Sequence, residues 1–266
     1  MADTFRGDGG IKPLQPTFVC GHGPTHVIVA HGWMGDSHLF DPLLPFIDAE
    51  RFTYAFIDCR GYGSRVGESG PKTIEAAADD VLCVAAQLGW ERFHVVGHSM
   101  GGMVAQRLMV DVPDRLQSVA LIAPVPACGA TLDDARRALL SKAIRETAAR
   151  RELIDLNTGG LRDNAWLDDL LSASVSSTSE AGLLGYLESW AGTNFQSEAE
   201  GSKVPTLVVV GDVDPGCSEG RMKDTALRWY PQSTLVLLPQ TGHYPMRECP
   251  QELSRVLSDF FVMQTA

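Results

Sequence analysis

The chain has 266 residues, 44% hydrophobic and 21% charged, the proportions of an ordinary soluble globular protein. That excludes a disordered chain, a collagen-like fibre and a coiled coil, and the length allows a full core without disulfide staples. Lys+Arg number 22 against 33 Asp+Glu, a net charge of −11 that repels phosphate, so neither nucleic acid nor a membrane is an expected partner.

In chain order, Thr17–Cys20 with Gly21 can supply an antiparallel edge strand. Val27–Ala30, Phe52–Ile57, Phe93–Val96, Ser118–Ala123, Thr206–Val210 and Leu235–Leu238 are short, apolar, mostly β-branched runs. Each stops at a turn or polar residue, as strands buried on both faces do. Helices fall between them. Thr73 can cap one that runs to Leu88, with Glu75 in its first turn and Gly89 closing it. Others are expected over Met100–Val110, Ser218–Trp229 and Gln251–Phe261, with Pro250 at the tolerated first-turn position. Alternation of this kind implies an α/β fold with a mostly parallel sheet flanked by helices.

Residues 126–201 break the alternation and hold no convincing strand. One long helix from Thr131 to about Leu156, and two more over Asn164–Val175 and Glu180–Trp190, are expected there. Ser172–Ser179 reads as a loop. The organisation is therefore a core of residues 1–125 and 202–266 carrying a helical cap, 126–201. No apolar run approaches the roughly 18 residues of a membrane span. Met1–Asp8 shows no secretory pattern, and six cysteines without a Cys-x-x-Cys read as reduced thiols of a cytoplasmic protein.

Chemistry concentrates at Gly97-His-Ser99-Met-Gly101, between a strand and a helix. Glycines two positions either side permit a turn too tight for side chains, which presents the serine in a strained conformation. The same turn could stand on a non-catalytic scaffold, but its position at a strand-to-helix junction points to a nucleophile. A serine needs a base, and a histidine base needs an orienting carboxylate. His243 follows the last strand, on the kind of loop where open α/β sheets place their sites; His98 is too close in sequence to face the Ser99 hydroxyl easily. Asp212 and Asp214 both follow Val210. Asp214, before Pro215, is the better-placed acid, and Asp212 is the better-placed turn former. The N–H groups of Trp33 and Met100 are the candidate oxyanion donors.

His31-Gly-Trp, Asp58-Cys-Arg-Gly-Tyr-Gly63, Gly97-His-Ser-Met-Gly-Gly102, Gly211-Asp-Val-Asp214 and Gly242-His243 together resemble the α/β-hydrolase superfamily, in its order, from about Val27 to Phe261. The resemblance implies an eight-stranded sheet, a helical cap, a Ser99–Asp214–His243 triad and no cofactor. It departs after Gly63, where Ser64-Arg-Val-Gly-Glu-Ser69 is longer than usual, and before Val27, where an edge strand has little room.

The reaction expected is hydrolysis of a small carboxylic ester or lactone through an acyl-enzyme. Carbon–carbon hydrolysis and cofactor-free dioxygenation use similar scaffolds, and a non-catalytic small-ligand receptor is the reading from another class. Haloalkane and epoxide hydrolases resembling this chain carry Asp where it has Ser99. His31, Gly32, Trp166, Leu170, Tyr186, Trp190 and Tyr244 are the expected substrate pocket. His22/His26 and His94/His98 have metal-like spacing but lie on no expected helix, so no metal site is read from them. Arg136-Arg137 and Arg150-Arg151 read as a solvated face rather than a substrate anchor. Oligomeric state leaves no sequence signal.

Overall fold

Buried β-branched runs need cover on both faces, and the sheet supplies it. A computed structural model describes residues 14–265, so the reading made on Met1–Asp8 lies outside the described residues. Seven strands pair in the order β1-β3-β2-β4-β5-β6-β7. They are β1 (Phe18–Gly21), β2 (Thr25–Ala30), β3 (Phe52–Ile57), β4 (Phe93–His98), β5 (Leu116–Ile122), β6 (Thr206–Gly211) and β7 (Ser233–Leu238). β1 runs antiparallel on β3, and the other neighbours are parallel. Every residue of β4 and β6 is buried, whereas the edge strands β1 and β7 are partly exposed. Seven strands rather than eight are present among the described residues, because those ahead of β2 suffice for one short strand only.

The helices follow their local signals where those are strong. α1 (Ile74–Gln87) is capped by Thr73, whose Oγ1 accepts from the Ala76 N–H at 3.2 Å. α2 (Met100–Asp111) leaves β4 directly. Between β5 and β6 the chain forms α3 (Asp134–Ala143), α4 (Thr147–Asn157), α5 (Asn164–Ser177), α6 (Glu180–Gly192) and the short α7 (Gln196–Ala199). After β6 come α8 (Glu219–Asp224) and α9 (Ala226–Trp229), then after β7 the turn α10 (Pro245–Glu248) and α11 (Pro250–Thr265).

Three local expectations are corrected. The single helix over Thr131–Leu156 is two, because the guanidinium of buried Arg150 donates to the carbonyls of Ala143 (2.9 Å) and Ile144 (3.0 Å), replacing the N–H donors of a continuous helix. The Ser218–Trp229 helix breaks at Thr225, whose Oγ1 donates to the Arg221 carbonyl at 2.6 Å and whose backbone leaves the helical region (φ −124, ψ −101). Ser172–Ser179 is helical to Ser177, since Arg150 also donates to the Ser174 carbonyl at 3.2 Å and anchors that turn from inside. The long stretch after Gly63 folds onto α1: Ser64 N–H and Oγ–H each donate to Asp58 Oδ2 at 2.8 Å, and Arg65 reaches Asp80 at 2.8 Å.

Candidate active site

β2 lies between β3 and β4, so the chain reverses direction of growth there, the position at which open α/β sheets bind ligands. Ser99 sits beyond the end of β4 with φ 53 and ψ −112, a conformation an L-residue holds only under constraint. The constraint is close packing. A Cβ at Gly97 would stand 2.2 Å from the Gly101 carbonyl oxygen, and one at Gly101 would stand 2.3 Å from that of Ala30. The Ser99 N–H is fixed by the Ile122 carbonyl at 2.9 Å.

His243 bridges Ser99 and Asp214. Its Nδ1 is 2.7 Å from Asp214 Oδ2, and its Nε2 is 2.9 Å from Ser99 Oγ. A carboxylate can only accept, so the proton is on Nδ1 and Nε2 accepts from the serine hydroxyl. Burial raises the Asp214 carboxyl's pKa. The hydrogen bond of His243, the charge that ring carries when protonated, and the N–H groups of Cys217 and Gly216 outweigh it and hold the group below its ordinary value. Asp212 instead accepts the Thr241 N–H at 3.3 Å and closes the turn. His98 turns away from Ser99. Its Nε2 donates to the His243 carbonyl at 2.8 Å, and burial, reinforced by repulsion from His243 when that ring is protonated, lowers its pKa to about 3, so it is neutral.

The Gly32–Trp33 turn abuts the elbow: a Cβ at Gly32 would lie 2.6 Å from His98 Nδ1 and 3.2 Å from Ser99 Cβ. The backbone N–H groups of Trp33 and Met100 donate to no described backbone acceptor. Trp33 is held by its indole N–H, which donates to the Leu183 carbonyl at 2.7 Å, and by an edge contact with Trp190 at 5.8 Å.

A cavity of about 330 Å³ opens on Ser99 and His243. Of the expected pocket residues, Gly32, Trp190 and Tyr244 line it. His31, Trp166, Leu170 and Tyr186 do not, for separate reasons. His31 is fully buried, donating from Nδ1 to the Gly32 carbonyl at 2.8 Å and accepting the Cys59 N–H at Nε2 at 3.0 Å. Leu170 and Tyr186 pack into the core, Tyr186 against Tyr62. Trp166 stands behind Tyr244, 6.4 Å ring to ring. The wall is supplied instead by Val125, Leu140, Leu153 and Asn157, with Arg136 and Arg221. The expected solvated arginine face is corrected with it. Arg137 is exposed and Arg151 pairs with Asp168 at the surface, but Arg136 faces the cavity and Arg150 is buried.

The histidine pairs of metal-like spacing are separated in role. His22 meets Glu50 at 3.0 Å and His26 stacks on Trp90, while His94 meets Ser118 Oγ at 2.7 Å. Among the described residues Asp214, Cys217 and His243 have ligand atoms within 4.8 Å of one another. Two of the three already bond each other, and burial with the Asp214 charge raises the Cys217 thiol's pKa well above the ordinary value.

Known proteins resemble this one in sequence and shape. The dihydrolipoyllysine-residue acetyltransferase component of the acetoin cleaving system of Cupriavidus necator is 30% identical over 251 residues, covering 89% of this chain; the chain spans 63% of that protein's length. A pimeloyl-[acyl-carrier protein] methyl ester esterase of Klebsiella pneumoniae is 28% identical, covering 86% of this chain and 91% of that one. A solved hydrolase from Oleispira antarctica superposes with a TM-score of 0.83 at 20% identity, covering 94% of this chain and 95% of that one. Residues 25–248 match the family defined by the alpha/beta hydrolase fold, and the chain belongs to that family.

Proposed function

We propose that the protein hydrolyses a small carboxylic ester or lactone through an acyl-enzyme on Ser99. One observation carries this: His243 contacts Ser99 Oγ and Asp214 Oδ2 at once, at 2.9 and 2.7 Å, on a strained strand-to-helix turn. Ser99 Oγ attacks the carbonyl carbon as His243 Nε2 takes its proton. The oxyanion is held by the N–H groups of Trp33 and Met100, two donors that no described backbone acceptor engages. His243 returns the proton to the leaving alcohol oxygen, which departs or, in a lactone, stays tethered. Water, deprotonated by the same nitrogen, then attacks the acyl carbon; the bond to Ser99 Oγ breaks, His243 returns the proton to that oxygen, and the acid leaves. Asp214 stays ionised throughout and keeps the imidazole in the tautomer and orientation the steps need. No cofactor enters the sequence.

The methyl ester named for the Klebsiella pneumoniae relative supports an ester as the bond broken. Residues 126–201 act as the cap, since Leu140, Leu153 and Trp190 from it wall the cavity over Ser99. The six free cysteines, all among the described residues, support a reducing compartment such as the cytoplasm. No described helix is long and apolar enough to cross a membrane. The test is hydrolysis of a panel of short esters and lactones by the wild type and Ser99→Ala. Loss of more than about a thousandfold in turnover is expected, and a variant that keeps more contradicts the proposal.

A further inference from the structure

Two guanidinium groups line the cavity, one from the cap and one from the core, and neither has a carboxylate partner among the described residues. Arg136 comes from the first turn of α3, and Arg221 comes from α8 on the core. Both are half-buried. Among the described residues the Arg136 side chain donates only to Asn157 Oδ1, at 2.6 Å, and the Arg221 side chain only to the Gly129 carbonyl, at 3.3 Å. Each guanidinium has five N–H donors, so most of its capacity is free.

Their placement relative to the chemistry is fixed. The carbonyl of Asn157 accepts the His243 N–H at 2.9 Å while its side-chain oxygen holds Arg136, so one residue ties the guanidinium to the base. A Cβ at Gly216 would stand 3.9 Å from Arg136 Nη2 and 3.5 Å from Asp214 Oδ1, which puts the guanidinium over the loop that carries the acid. Both arginines are near enough to act electrostatically on the Cys217 sulfur. The other charged lining group is Asp133, whose Oδ1 is taken by the Arg136 N–H as the cap of α3. Asp214 is paired with His243. Val125, Leu140 and Leu153 give the same cavity an apolar wall beside Ser99 and the two arginines.

A site with this layout in a chain of net charge −11 selects against the overall field. We infer that Arg136 and Arg221 form an anion subsite, and that the substrate is an ester or lactone carrying a carboxylate at the far end of a short apolar chain. Guanidinium forks match carboxylates, and a partly dry cavity strengthens the match. This deepens the proposed ester hydrolysis and rests on Ser99 as the point of attack.

The experiment compares kcat/KM on monomethyl succinate through monomethyl suberate with kcat/KM on methyl esters of the matching monocarboxylic acids. It uses the wild type, Arg136→Gln, Arg221→Gln and the double variant, each checked for melting temperature. The wild type is expected to prefer the half-esters. The ratio of half-ester to neutral ester should fall about tenfold in the double variant, mainly through KM, and by less in each single one. A second measurement needs no turnover: adipate should raise the melting temperature of Ser99→Ala, and the rise should vanish when both arginines are also replaced. A ratio that survives in the double variant overturns the inference, as does an adipate shift indifferent to the arginines. The two proposals separate cleanly. An active Ser99→Ala with an arginine-dependent ratio or shift removes only the acyl-enzyme. An inactive Ser99→Ala with an arginine-independent ratio removes only the subsite.

Discussion

Asp212 and Asp214 stand two residues apart in one turn and meet different partners. Asp214 is buried and bonds His243, whereas Asp212 closes the turn on Thr241. Asp214→Asn keeps the shape but offers His243 an N–H or a neutral oxygen, so the tautomer is no longer enforced. Turnover should fall by up to ~10⁴, as in the serine-protease case. Asp212→Asn keeps its acceptor oxygen and should lose little rate. Turnover and melting temperature of both variants check this, and a dead Asp212→Asn beside an active Asp214→Asn would reverse the roles. At this scale the sequence was most legible, because nucleophile, base and acid demand particular residue types in particular turns. Arg136 and Arg221 carried no such mark: an arginine on a helix reads the same whether it faces water or a cavity.

At the scale of elements, the strands announced themselves because burial on both faces leaves little but β-branched residues. The inserted helices were harder, since their breaks depend on distant side chains. Arg150, taking the carbonyls of Ala143 and Ile144, divides what reads as one helix. The same contacts decide which apolar residues reach the cavity. On α6, Trp190 lines it and touches Trp33, while Leu170 on α5 is buried away from it. Trp190→Ala should therefore change acyl-length preference across an ester series. Leu170→Ala should leave that preference alone and cost about 2–5 kcal/mol of stability. Rates over the series and urea unfolding of both variants test the assignment. A preference shift in Leu170→Ala as large as in Trp190→Ala would contradict it.

Across the whole molecule, the fold keeps two histidines neutral in its core. Burial, with the charge of Arg92, lowers the His94 pKa from 6.5 to about 4, and His98 falls further. Between the lowered and ordinary values the unfolded chain binds protons that the folded chain refuses, so stability rises with pH through that window and is lost on acidification. His94→Gln removes one such group away from the site. Its urea midpoint should fall less than the wild type's between about pH 7 and about pH 5, and an equal fall would contradict the burial argument. The sheet was legible at this scale apart from its strand number. Eight strands were implied by resemblance, and the residues described ahead of β2 form only one.

The central claim is that Ser99 is a nucleophile activated by His243. It is tested most directly by treating the protein with a fluorophosphonate and locating the adduct by peptide mass spectrometry. Attack by an activated serine displaces fluoride and leaves the phosphonate on its oxygen. The account predicts one adduct per chain, on the peptide containing Ser99, absent in Ser99→Ala and formed far more slowly in His243→Gln. An adduct on another residue, or none while the wild type hydrolyses esters, would contradict it.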